Sequence, residues 1–182
     1  VGSAGLEWLS RLRELCEQSG VLLIFDEIFT GLGRSGRITF AEEVPCDLLC
    51  LGKTLGGGFP LSACVGPEKV MNAWPVNKGE ALHTGTFFGH PLTCQVGNAT
   101  LQVLKREKFW ERTNMLGAAF KSKLRIALQN HPAVKEIRGE GLMLAIEFKK
   151  PGMGAVFMNQ LRKLGVIAIP CGSQGECLSL TP

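Results

Sequence analysis

Leu9, Leu12, Leu15 and Cys16 recur at the spacing of one helix face, which predicts an amphipathic helix from Ala4 to Ser19, stopped by Gly20. The pattern then changes. Val21-Leu22-Leu23-Ile24-Phe25 is a short, continuous apolar run that ends at Asp26-Glu27. Such a run predicts a strand buried on both faces, as in a parallel sheet. Thr30 to Gly36 is glycine-rich and reads as a loop. A second apolar run, Asp47 to Leu51, leads into Gly52-Lys53-Thr54 and then Gly56-Gly57-Gly58-Phe59-Pro60. Ser62 to Val65 predicts another strand, and Pro67 to Ala73 a short helix with proline near its start. Residues 75–90 carry Gly79, Gly85 and Gly89 and predict an extended loop, a length that is often functional inside a compact domain.

A helical pattern follows from about Pro91 to Asn130, broken near Arg106-Glu107-Lys108. Val134 to Ile137 and Leu142 to Phe148 read as strands around Arg138-Gly139-Glu140-Gly141. Residues 153–164 read as a helix, Val166 to Ile169 as a strand, and Leu178 to Pro182 as a strand running into a turn. The order of elements predicts an α/β sheet domain over residues 1–105 and a smaller α+β domain over 106–182, linked by the long helix. Both read as incomplete: the chain begins at Val1 without methionine and stops just past an apolar run, so it reads as a fragment.

Composition narrows the function classes. With 45% hydrophobic and 20% charged residues, the 182-residue chain can bury a core. The net charge of +4 is spread along the chain, with no Lys/Arg run of the kind that tracks nucleic acid. No segment is long and apolar enough to span a membrane, and no signal peptide is visible. Seven cysteines form no CxxC pair and are read as reduced thiols of a cytoplasmic protein. Three scattered histidines do not suggest a histidine-rich metal site.

Asp26 and Lys53 each follow an apolar strand. In open parallel sheets ligands bind outside the carboxyl ends of the strands, so a carboxylate and an amine are expected across one ligand. Taken singly, an Asp there caps a turn and a Lys beside glycines is merely solvated. A phosphate-binding loop would explain Gly-Lys-Thr, but it needs a glycine where Asp47 stands. Gly31, Gly33 and Gly36 match a dinucleotide fingerprint by spacing, yet the loop does not start directly after the strand and no helix opens behind it. A covalent cofactor fits better. Pyridoxal 5′-phosphate (PLP) needs a lysine for its Schiff base and an acid at its ring nitrogen. The glycines at 56–58 would let backbone approach such a ligand closely.

The stretch Phe25-Asp26-Glu27-Ile28-Phe29-Thr30-Gly31-Leu32-Gly33-Arg34-Ser35-Gly36 resembles the signature of class III (omega) aminotransferases, PLP-dependent fold type I. Leu51 to Pro60 resembles that family's lysine motif, His83 to Leu92 its THxxTFxGNP-like loop, and Arg138 to Met143 its RGxGLM turn. The resemblance implies that Lys53 is the Schiff-base lysine and proton shuttle, that Asp26 bonds the pyridine nitrogen and that Ile28 packs on one ring face. It implies that Thr86 binds the cofactor phosphate across a homodimer interface. Arg34 and Arg138 would tie loops together, and His83 and His90 would shape theirs. Two positions depart from the pattern. Phe29 stands where many members carry a Gln that bonds the cofactor's phenolic oxygen, and Ser179 where many carry an Arg that clamps the substrate carboxylate. A serine cannot replace a bidentate guanidinium.

The activity implied is a ping-pong transamination, from an amine or omega-amino acid donor to a 2-oxo acid acceptor. Another PLP reaction on the same scaffold, an aminomutase or a decarboxylase, shares the ring motifs. A non-catalytic module retaining the fold is a third reading, and an intact Lys53 argues against it.

Overall fold

The computed structural model describes residues 5–73, 79 and 83–181. Ala4, most of the stretch 75–82 in the expected long loop, and Pro182 lie outside them. Contacts divide the described chain into two units. One comprises Gly5–Leu32 with Ile38–Lys108, the other Gly33–Arg37 with Phe109–Pro182.

In the first unit, helix α1 (Leu6–Ser19) ends at Gly20, whose φ of 64° lets its N–H bond back to the carbonyls of Cys16 and Glu17. The apolar face of α1 packs through Leu9, Leu12 and Cys16 onto Leu23, Phe25 and Val44. Strand β1 (Ile24–Asp26) runs parallel to β2 (Leu48–Leu51), with Asp26 opposite Cys50. Strand β3 (Ala63–Val65) is antiparallel to β2, so the order is β1-β2-β3. A short helix α2 (Glu68–Met71) follows, and then the long α3 (Pro91–Glu107).

The first strand is shorter and barer than its apolar run implies. Leu23 and Phe25 are buried, but Val21, Leu22 and Ile24 are each more than half exposed. Two causes are visible. The Leu23 N–H donates to the Asp47 carboxylate at 2.7 Å instead of to a ladder partner, so regular pairing begins one residue later. Among the described residues, the α1 core covers the face that carries Leu23 and Phe25, and β1 stands at the end of the order β1-β2-β3.

In the second unit, α4 (Phe109–Leu128) begins just after Lys108, whose φ of 47° breaks the helical run. Strands β4 (Val134–Glu140) and β5 (Met143–Phe148) form a hairpin. Helix α5 (Met153–Lys163), β6 (Ile169–Cys171) and β7 (Cys177–Leu180) complete an antiparallel sheet of order β4-β5-β7-β6. Ile137, Ile146, Phe148 and Leu178 pack against Leu124 and Leu128 of α4 and Phe157 and Leu161 of α5. The Phe148 and Phe157 rings stack with centroids 4.4 Å apart. Strand β6 starts at Ile169 rather than Val166, because the Val166 N–H still bonds to the Leu161 carbonyl at the end of α5.

Gly33–Arg37 belongs with this unit and is mostly buried. The Leu142 N–H donates to the Arg34 carbonyl at 3.1 Å, and the Asn114 amide donates to the Gly36 carbonyl at 2.6 Å. Gly36 has a φ of 88°, and a Cβ there would stand 1.8 Å from the Asn114 side-chain oxygen. Among the described residues no helix is long and apolar enough to cross a membrane.

Candidate active site

Neighbouring parallel strands place the two chemistry-bearing residues. Asp26 closes β1, and Lys53 follows β2 after a single glycine. Asp26 is exposed, and one of its carboxylate oxygens accepts the Ile28 N–H at 3.1 Å, the local turn its residue type favours. Lys53 opens a 3₁₀ turn, Lys53–Gly56, with its own φ at 46°. A non-glycine residue in this region is uncommon, and such strain concentrates at functional positions. The Lys53 ammonium lies 4.4 Å above the Phe29 ring centroid, within cation–π range. Ile28 packs beside Gly52, where a Cβ would meet its Cγ2 at 3.2 Å. Asp26, Ile28, Phe29 and Lys53 therefore share one strand-end region. Thr86 comes from a separate turn that leads into α3, and it is exposed.

The frame around these residues is polar and glycine-rich. Glu27, 4% exposed, accepts the Phe40 N–H at 2.6 Å and the Thr30 hydroxyl at 3.4 Å, while its own N–H bonds to the Cys50 carbonyl. Asp47 accepts from the Arg13 guanidinium at 2.6 Å as well as from Leu23. The Leu23 N–H first, then Arg13, hold its carboxyl below the ordinary value of 3.8. Neither acid was singled out from sequence alone. For Glu27 a signal existed, since Leu23, Phe25 and Glu27 alternate on one buried face. The glycine loop after Lys53 backs onto α3: a Cβ on Gly57 would stand 2.4 Å from the Thr100 hydroxyl. Around Thr86, His83 lies 5.0 Å from Phe88 and His90 meets Phe87 edge-on, consistent with loop-shaping histidines.

In the other unit, Arg138 pairs with Glu147 and donates to the Cys177 sulfur at 3.4 Å, which ties β4 to the adjoining strands. Ser179 lies on β7 opposite Ala145 and Ile169.

The donor set fits a flat, doubly anchored ligand. A primary amine and a carboxylate stand at adjacent strand ends, with Cβ-free backbone following the amine. The profile of the aminotransferase class-III family matches residues 2–182. The chain belongs to this family. It is 39% identical to an ornithine aminotransferase of Macrococcus caseolyticus over 174 residues, which take in 91% of the chain and 42% of that relative. It is 37% identical to an acetylornithine aminotransferase of Methanosarcina acetivorans over 177 residues, 96% of the chain and 42% of the relative. The ornithine δ-aminotransferase of Plasmodium falciparum superposes with a TM-score of 0.88 at 33% identity, covering 100% of this chain and 46% of that one. The chain therefore spans less than half the length of these class-III relatives. Its fold is that of the PLP-dependent aminotransferases, fold type I.

Proposed function

We propose that the full-length protein is a PLP-dependent transaminase, moving an amino group from an amine or omega-amino acid to a 2-oxo acid. The observation that carries this reading is the placement of Lys53 and Asp26 at the carboxyl ends of two adjacent parallel strands. When bound, PLP supplies the electron sink that stabilises a carbanion at the substrate's amine-bearing carbon. The chain's own residues do the rest. The Lys53 amine would hold the cofactor at its aldehyde carbon and would serve as the base that moves the proton at the substrate's amine-bearing carbon. The Asp26 carboxylate would hold the ring nitrogen's proton. Ile28 would cover one face of the ring and exclude water from it.

The relatives named for ornithine and acetylornithine both act on molecules with an amine at the chain end, which supports an omega-amino donor. Thr86 is assigned to the phosphate of a neighbouring subunit's cofactor, so the working unit is a homodimer. The Thr86 turn is exposed and flanked by Phe87 and Phe88, 75% and 62% exposed, which suits an interface. Residues 1–105 are assigned to the cofactor-binding domain and 106–182 to the small domain of a cytoplasmic enzyme.

Lys53→Ala in the full-length enzyme is expected to abolish both transamination and the long-wavelength absorbance of bound cofactor. A donor and acceptor screen, read by that absorbance, identifies the substrates. Full activity in the variant would remove Lys53 from the mechanism.

A further inference from the structure

The bond that Asp26 makes locally orients its carboxylate but does not fix where it stands. One oxygen accepts the Ile28 N–H at 3.1 Å, and that bond travels with the turn. The residue that anchors the turn is the next one. Side chains along an extended chain alternate between faces, so Glu27 points away from Asp26 and joins the buried Leu23 and Phe25. From that side it does not touch a ligand held by Asp26.

A carboxylate only 4% exposed is costly to bury, and hydrogen bonds must offset the cost. The bonds Glu27 makes converge on the end of β1. Its carboxylate accepts the Phe40 N–H at 2.6 Å, and Phe40 packs against the core of Leu23, Phe25 and Val44. It also accepts the Thr30 hydroxyl at 3.4 Å, while its carbonyl accepts the Gly31 N–H at 3.0 Å, so the turn is drawn in behind Asp26. Its own N–H donates to the Cys50 carbonyl at 2.9 Å, three residues before Lys53. An apolar side chain at 27 would fill the same space but leave the Phe40 N–H without this acceptor.

We propose that Glu27 is a positioning residue for the reaction, setting the place of Asp26 beside the Lys53 strand and so its reach to the cofactor's ring nitrogen. This rests on the reading of Lys53 and Asp26 as the residues that hold PLP. Glu27 acts through shape, because a shift of about 1 Å in a contacting group is enough to lose much of its effect. Gln can do the same work: its amide oxygen accepts from Phe40, and its NH₂ donates to the Thr30 hydroxyl oxygen.

The test is a double-mutant cycle in the full-length protein between Glu27→Ala and Asp26→Asn. Two readouts are used: the Kd for PLP of the cofactor-free protein, and the ¹⁵N shift of ring-labelled PLP once bound. Glu27→Ala is expected to weaken PLP binding about tenfold in the wild-type background but less than about twofold in Asp26→Asn. It should also move the ring ¹⁵N shift toward that of Asp26→Asn, while Glu27→Gln keeps the wild-type values. If Glu27→Ala does not fold, Glu27→Asp takes its place in the cycle, since a side chain one carbon shorter cannot reach both partners. Equal losses in the two backgrounds would make Glu27 merely structural and overturn the proposal. So would a Glu27→Gln variant that behaves as Glu27→Ala, because charge rather than position would then matter. Either result leaves the PLP reading intact. A wild-type protein that binds no PLP, or an Asp26→Asn variant with an unchanged ring shift, would sink that reading and this proposal together.

Discussion

The two sheets of this chain are stabilised in different ways. Strand β5 of the second sheet is buried at five of its six positions, and Leu144, Ala145 and Leu178 beside it are at most 1% exposed. Strands of the first sheet are three or four residues long, and β1 and β3 leave Ile24, Cys64 and Val65 exposed. Order around β1 and β2 comes instead from carboxylates that accept backbone N–H groups, Glu27 from Phe40 and Asp47 from Leu23. Among the described residues, directed polar bonds thus join the small apolar core under α1 in framing the strand ends. Substitutions in the two regions should therefore fail in different assays.

The largest effect expected, after the loss of Lys53, is from Asp26→Asn. Removing the charge proposed to hold the ring nitrogen's proton should lower kcat by about 10²–10³-fold, with the thermal unfolding of the full-length protein almost unchanged. A large drop in Tm would place Asp26 in the frame rather than in the chemistry. Leu144→Ala in the other sheet should do the reverse. It should cost about 2–5 kcal/mol of stability by cavity formation, seen in denaturant unfolding, while kcat of the folded fraction is retained.

A smaller effect separates the polar frame from the apolar one by pH. The folded-state carboxyl of Asp47 is depressed, so its contribution is fully present above the unfolded value near 3.8 and disappears as pH falls through the lower folded value. Asp47→Asn should weaken stability at neutral pH and flatten the acid limb below about pH 4, measured by unfolding across pH. An unchanged acid limb would show that another carboxylate governs it. Glu147 has the same sign, held down by Lys135 and then Arg138, and is the candidate for that role. The smallest change expected is from Phe29→Leu. The aromatic face holds the free Lys53 ammonium, an interaction worth about 0.5–1 kcal/mol at an exposed site. Its loss should tighten cofactor binding roughly two- to fivefold, read by titrating the cofactor-free protein with PLP. Weaker binding would mean that the ring contributes more to the bound state than to the free one.

Strand-end placement made much of the site legible. Apolar runs that end at Asp26 and just before Lys53 were enough to put an amine and a carboxylate at one sheet edge, because strand ends are where parallel sheets bind ligands. The break at Lys108 was equally visible, as a charged cluster interrupting helical periodicity. Pair-specific geometry was not legible. Nothing in the order of residues says that Cys50 will face Cys64, since register depends on where each short strand begins. The same limit explains Val166, which an apolar run assigns to a strand while its N–H belongs to a helix end. Buried loops also escape this kind of reading. Gly33–Arg37 looks like surface by composition, yet it is enclosed by α4 and the β4–β5 turn.

The left-handed backbone at Lys53 bears on how this protein can be engineered. For a side chain with a Cβ such a conformation costs about 1–2 kcal/mol, and any scheme that ranks substitutions by foldability will recommend glycine at 53. That recommendation would remove the amine. Sequence redesign aimed at heat tolerance should therefore hold this position constant and look for its gains elsewhere, for instance at Lys108, where the same backbone conformation carries no assigned chemistry.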